Sequence, residues 1–358
     1  MQLRAVTFAD LPGWNDDTQQ EAWPSFIASC RALLARQASA VTWKAVCASA
    51  TGIDGRDALA VRSYFEQHFS AYQALAADGE AKGLVTGYYE PLLHGSRVRD
   101  DRYRFALYAP PDDLLTVDLA ELYPELKDKR VRARIDGKRV VPYWPRVDIE
   151  AGKAAVAGRE LLFVDDPVEA FFLQIQGSGR VQLPDGSVVR LGYADQNGQP
   201  YRSIGRILVE RGELTLDKAS MQGIKQWGRE HPEALPALLN ENPSYVFFRE
   251  APPNPSAAID GPLGALGVPL AAGRAIAVDP RFIPLGAPVF VATTWPLSSR
   301  PLHRLMLAQD TGGAIRGPVR ADWFWGFGED AAQQAGRMKQ EGMLWLLWPK
   351  GASPPLPQ

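Results

Sequence analysis

Hydrophobic spacing divides the chain into helical and β-rich stretches. From about Thr18 to Ala77, apolar residues recur at helical spacing in Phe26, Ile27, Cys30, Leu33 and Leu34, and again in Val61, Tyr64, Phe65 and Phe69. After Gly83 the period shortens, and Leu84-Val85-Thr86-Gly87-Tyr88-Tyr89-Glu90-Pro91 predicts a strand ended by proline. On to about Leu191 the pattern is short β-runs broken by turns, over 102–108, 171–176, 180–183 and 187–191. Pro184-Asp185-Gly186 predicts a hairpin between the last two. Residues 203–212 and 220–230 predict helices, and Tyr245-Val246-Phe247-Phe248 returns to β. The remainder to Trp348 predicts short strands with one helix over 329–340, followed by a Pro-rich tail, 351–358, expected to be disordered. There is no internal repeat.

This order predicts a mainly β, α+β protein with helices near its N-terminus. It has two barrel-like units, the middle one inserted into a domain built from both chain ends. A chain of 358 residues has room for both. A net charge of −2 gives no reason to expect nucleic acid. No apolar run approaches the roughly 20 residues of a membrane helix. Met1-Gln2-Leu3-Arg4 leads into mixed sequence, so the expectation is a cytoplasmic chain or a mature segment without its leader. Cys30 and Cys47 lie in neighbouring helical stretches, as a disulfide or as two buried thiols. With 4 His and 2 Cys scattered apart, a zinc site is not expected.

Three aspartates carry the candidate chemistry. Asp310 closes the apolar run Leu305-Met306-Leu307-Ala308-Gln309 and opens Thr311-Gly312-Gly313-Ala314-Ile315. Asp322 opens Trp323-Phe324-Trp325-Gly326-Phe327-Gly328, and Asp279 follows Ala275-Ile276-Ala277-Val278. Carboxylates at the ends of separate strands can converge on one groove. A carboxyl that donates a proton near neutral pH needs a raised pKa, which desolvation supplies. The aromatics after Asp322 can wall it in this way, or Asp322 can merely cap a strand. Amides of Thr311, Gly312 and Gly313 would keep Asp310 ionised, or the Asp-Thr-Gly-Gly run is only a turn. Asp279-Pro280 can equally be a strand end.

An aspartic protease places Asp-Thr-Gly after an apolar strand, but its mechanism needs two such aspartates sharing a proton. No second Asp-Thr-Gly or Asp-Ser-Gly is present. In Leu173-Gln174-Ile175-Gln176-Gly177-Ser178-Gly179-Arg180, a strand would put Gln174 and Gln176 on one face, for sugar hydroxyls or simply for solvent. Tyr88 and Tyr89 point to opposite faces of their strand, so one at most lines a groove while the other joins the core.

These motifs together resemble the membrane-bound lytic transglycosylase A family. The matching pieces are Thr86 to Pro91, Gln174 to Arg180, Asn242-Pro243-Ser244-Tyr245-Val246-Phe247-Phe248, the Asp279 run, Asp310 to Ile315 and Asp322 to Gly328. The resemblance implies a double-psi β-barrel catalytic domain from 1–100 plus 250–358. A second barrel, 101–249, would be inserted as the substrate-binding domain, with a groove between the two. It implies cleavage of the β-1,4 bond between N-acetylmuramic acid and N-acetylglucosamine in peptidoglycan, leaving 1,6-anhydromuramoyl ends. Asp322 would be the acid–base residue, and Asp310 and Asp279 its supports. Expected substrate contacts are Tyr88, Gln174, Gln176, Ser178, Arg180, Gly312, Gly313 and Trp323.

No cofactor or metal is implied. The expected partners of a monomer are peptidoglycan glycan strands and proteins of cell-wall synthesis or division. The family is periplasmic and outer-membrane-associated, yet no lipid-bearing cysteine stands near Met1. The rival readings are a muramidase that uses water and a non-catalytic glycan-binding module.

Overall fold

The computed structural model describes residues 2–123, 131–251 and 259–355. Strand β1 (Gln2–Val6) precedes helices α1 (Trp23–Leu34), α2 (Gln37–Ser49) and α3 (Ala58–His68), then β2 (Phe69–Leu75) and β3 (Gly83–Glu90). Next come β4 (Leu92–Ser96), β5 (Phe105–Tyr108), β6 (Leu115–Thr116), β7 (Arg132–Asp136), β8 (Arg139–Pro142), α4 (Arg146–Glu150) and β9 (Glu160–Val164). They are followed by α5 (Pro167–Gln176), β10 (Ser178–Gln182), β11 (Val188–Gln196), α6 (Ile204–Glu210), α7 (Met221–Glu230), α8 (Leu235–Asn240) and β12 (Val246–Glu250). The chain finishes with β13 (Ala275–Val278), β14 (Pro288–Thr294), β15 (Pro301–Asp310), β16 (Arg320–Phe327), α9 (Glu329–Arg337) and β17 (Lys339–Pro349). The protein is a mixed α+β fold, mostly sheet.

The residues form two compact units, Met1–Glu90 with Asn254–Gln358, and Pro91–Pro253. In the first, strands pair in the order β1-β2-β17-β14-β15-β13-β16-β3, and β3 pairs again with β17. Six strands therefore pair in a closed cycle, which leaves none of the six with an open edge. The interior is filled by residues such as Phe290, Leu305, Met306 and Leu347, all fully buried. Helices α1 and α3 cover it with an aromatic cluster in which Phe26 packs against Tyr64, Phe65 and Phe69. Burying each such ring contributes roughly 1.5–3 kcal/mol. Cys30 and Cys47 are joined, tying α1 to α2.

Two strands lie where helix was expected or nothing was predicted. Phe69 follows Phe65 at helical spacing, but the chain leaves α3 there and runs as β2, paired with β1 and β17. Beyond β17, the Trp348 indole donates to Ser353 O at 2.8 Å, so the tail folds back at its start; residues 356–358 lie outside the described residues.

The second unit holds a six-stranded sheet, β12-β11-β10-β4-β9-β5, and a three-stranded sheet, β6-β7-β8. The hairpin at Pro184-Asp185-Gly186 joins β10 to β11, with Gly186 at φ 83°. Residues 171–176, expected as β, are the end of helix α5. Asp166 caps its first amides, Pro167 sits in the first turn, and Gly177 at φ 79° ends it in the left-handed conformation. Gly179 then lets the backbone pass close: a Cβ there would stand 2.3 Å from Leu173 Cδ1.

Candidate active site

Asp310 and Asp322 reach one face of the first unit's sheet through register. Ala277 of β13 pairs with Asp322 of β16 on one side and with Asp310 of β15 on the other. Two inter-strand steps put their Cα atoms roughly 10 Å apart. Register alone would have opposed Gln309 to Ala277, but a bulge intervenes. Gln309 turns to the other side, where its amide donates to Ser25 O at 2.9 Å and Ser29 Oγ at 2.8 Å on α1. Asp310 is thereby delivered to the row that holds Asp322.

Tyr88 is hydrogen-bonded to Asp310 and lies within reach of the charge of Asp322. It lies on β3 opposite Phe324 of β16, and its hydroxyl donates to Asp310 Oδ2 at 3.0 Å. Burial first, then the charges of Asp310 and Asp322, push the phenol well above its usual range, so it stays a donor. Its ring packs 5.1 Å from the Phe324 ring, beside buried Leu270 and Ala275. This is the apolar wall of the site.

Strand alternation puts Trp323 on the opposite face. Its side chain is 1% exposed within the hydrophobic core, so the expected role in substrate binding is corrected. Trp325 shares that face, 5.9 Å from Trp323 between ring centres.

Burial pushes the Asp322 carboxyl up to about 6, and the Asp310 charge adds to this. A hydrogen bond from Thr86 and the charge of Arg320 pull the other way. Thr86 Oγ1 donates to Asp322 Oδ1 at 2.5 Å, and Arg320 Nη2 donates to the same hydroxyl at 2.8 Å. Thr86 and Arg320 were not singled out from the sequence, although Thr86 opens one quoted motif and Arg320 precedes Asp322 by two positions.

Asp310 does not have the depressed pKa expected of it. Burial pushes it up, against bonds from the amides of Thr311 and Ala265 and from Tyr88. Ala265 N reaches Oδ1 at 2.9 Å from a loop 45 residues upstream, a donor with no local sequence signal. Gly312 and Gly313 follow in the loop; a Cβ on Gly312 would come within 2.8 Å of Ile315 Cγ1, whereas Gly313 faces open space.

Asp279 has a separate task. Burial would raise its pKa, but the bonds from Arg281 and the Gly317 amide outweigh that and hold it low. Arg281 grips both oxygens, Nε at 3.0 Å and Nη2 at 2.6 Å. Gly317 N donates at 2.9 Å, so Asp279 pins the far end of the loop that begins at Asp310.

In the second unit, Gln174 lies inside α5's packing rather than on a strand face. Its carboxamide oxygen accepts from Arg146 Nη2 at 2.5 Å and from Val246 N at 3.4 Å. Gln176 is the last residue of the helix, and Ser178 opens β10. Arg180 is 9% exposed, and its amide donates to Pro91 O at 2.8 Å. Among the described residues, no group of three or more His, Cys, Asp or Glu is placed to hold a metal ion.

The site can hold one proton on the Asp322 carboxyl up to about pH 6, beside a second carboxyl of raised pKa. That arrangement suits transfer of a proton to and from a bound oxygen.

Comparisons with known proteins agree across the chain. The MltA specific insert domain matches residues 84–249, and the 3D domain matches residues 274–348. The membrane-bound lytic murein transglycosylase A of Escherichia coli K12 is 31% identical over 285 residues, covering 77% of this chain and 68% of that protein. The crystal structure of MltA from Neisseria gonorrhoeae, in its monoclinic form, superposes with a TM-score of 0.86 at 40% identity, covering 98% of this chain and 94% of that one. E. coli MltA with bound chitohexaose superposes with a TM-score of 0.71 at 27% identity, covering 98% and 95%.

Proposed function

This chain belongs to the membrane-bound lytic murein transglycosylase A family, and from that premise we infer that it is a lytic transglycosylase acting on peptidoglycan. The bond cleaved is the β-1,4 link between N-acetylmuramic acid and N-acetylglucosamine. The observation that carries the chemistry is the half-buried Asp322 carboxyl, on the strand face it shares with Phe324, raised to about 6.

Protonated Asp322 gives its proton to the glycosidic oxygen as the bond from that oxygen to muramoyl C1 breaks. The muramoyl C6 hydroxyl attacks C1, and its proton passes to the Asp322 carboxylate. The enzyme is restored, no water is consumed, and the new end is a 1,6-anhydro sugar. An internal nucleophile needs no second carboxylate to activate water, unlike the paired carboxylates of ordinary glycosidases. Its proximity supplies an advantage that water lacks. Asp310 supports Asp322 as a second, half-buried acceptor, and Asp279 supports the loop between them.

The closed cycle of six strand pairings supports the double-psi reading of the first unit. Chitohexaose on a structural neighbour supports glycan strands as the ligand. The relatives' membrane-bound names and the Cys30–Cys47 disulfide support an oxidising cell-envelope setting. No helix among the described residues is long and apolar enough to cross a membrane.

Digestion of peptidoglycan in oxygen-18 water separates the readings. A lytic transglycosylase leaves new ends free of label and one water lighter than reducing ends. Label at each new reducing end would make the protein a muramidase, and no new ends would favour a binding module.

A further inference from the structure

The hydrogen bonds around Thr86 single out one oxygen of the Asp322 carboxyl. A hydroxyl has one hydrogen and two lone pairs, whereas a guanidinium only donates. Arg320 Nη2 donates to Thr86 Oγ1 at 2.8 Å, which uses a lone pair. The Thr86 hydrogen then goes to Asp322 Oδ1 at 2.5 Å. Arg320 is itself held between two strands, with Nη1 donating to Ala321 O at 2.5 Å on β16 and to Leu84 O at 3.3 Å on β3. We propose that Arg320 is a positioning residue that acts through Thr86 to keep Asp322 Oδ1 an acceptor, so that the catalytic proton resides on Oδ2. The proton is thereby aimed at one side of the carboxyl before substrate arrives.

This rests on Asp322 being the acid of the proposed reaction, but the relay itself concerns the free protein. The charged and titratable groups facing Asp322 are few. Arg320 shares its strand, Tyr88 faces it from β3 with buried Glu90 two residues further on the same strand face, and Asp310 faces it across β13. Lys339 of β17 is the register partner of Thr86, and Asp279 lies beyond the end of β13. On α9, Glu329, Asp330 and Arg337 belong to the other face, because that helix packs on Tyr89 and Trp325.

The test compares wild type with Thr86→Val, Thr86→Ser, Arg320→Met and Arg320→Lys by two readouts. The first is the carbon-13 titration of the Asp322 carboxyl without substrate. Removing the Thr86 donor or the Arg320 charge should move its midpoint to higher pH, while Thr86→Ser restores the wild-type value and Arg320→Lys lies between. The second is the pH profile of anhydro-end formation. For Thr86→Val and Arg320→Met, kcat should fall on the order of 10–100-fold with KM little changed, and the basic limb should move up in step with the titration.

A midpoint that stays at the wild-type value in both Thr86→Val and Arg320→Met overturns the relay. A drop in kcat together with folded protein, with an unmoved basic limb, gives Arg320 a purely structural role and also overturns it. If wild type makes no anhydro ends, the enzymatic reading falls, and the substrate-free titration still decides whether the relay exists.

Discussion

A half-buried carboxyl on the strand face of Phe324 binds its proton more tightly in the folded chain than in the unfolded one. For Asp322 the midpoint moves from 3.8 to about 6. The fold therefore bears no penalty below pH 3.8, a growing one as pH rises, and the full one above about pH 6. That penalty is on the order of 2–3 kcal/mol. Asp322→Asn should accordingly be more stable than wild type at pH 7.5, with the difference closing near pH 4, as read by urea denaturation. An acid that must be protonated also predicts that kcat/KM falls as pH rises through about 6. At the adjacent position the outcome differs, because Trp323 faces the core and its indole N–H has no hydrogen-bond partner among the described residues. Trp323→Phe should leave KM for glycan within about 2-fold, while the cavity left by the smaller ring should cost on the order of 1–3 kcal/mol of stability, lessened by removal of the unpaired N–H. A large rise in KM would return Trp323 to the binding surface.

Helix α5 and strand β10 meet at the Gly177-Ser178-Gly179 turn, where two glycines do different work. Gly177 supplies a left-handed end to the helix, and Gly179 supplies space against Leu173. Gly179→Ala forces a methyl into that contact and should destabilise the protein by about 1–3 kcal/mol, measured as a lowered Tm. The equivalent change at Gly186, which meets nothing within 4 Å, is strained by its φ of 83° alone. The helix was legible in its ends, Asp166-Pro167 and Gly177, but the amide alternation of Gln174 and Gln176 imitates a strand and misled the reading. Strand β2 was missed for the converse reason, since Phe69 extends the α3 spacing by one more turn. Strands flanked by turns, such as β3, β10 and β16, were legible because the period of two survives burial on one face. The Gln309 bulge was not, because its cause lies in Ser25 and Ser29, far away in the chain.

Across the molecule, covalent and register constraints decide how the site is held. The Cys30–Cys47 bridge spans a sequence separation of 17, which by loop entropy stabilises the fold by about 3 kcal/mol. Replacing both cysteines with alanine should lower Tm clearly, and reduction of wild type should lower it by a similar amount; an unchanged Tm in both would remove the bridge from the stability account. The three aspartates were legible in the sequence as carboxyls closing or opening strands. Their environments were not, because Ala265, Arg281 and Gly317 reach them only through the tertiary fold. In the proposed reaction Asp322 alone supplies the acid–base function. This is tested most directly by mass spectrometry of peptidoglycan digested with wild type, Asp322→Asn and Asp310→Asn at equal concentration. The prediction is abundant anhydro-muropeptides from wild type, none above background from Asp322→Asn, and a reduced yield from Asp310→Asn. Anhydro ends from Asp322→Asn at the wild-type rate would contradict the account and move the acid to another carboxyl.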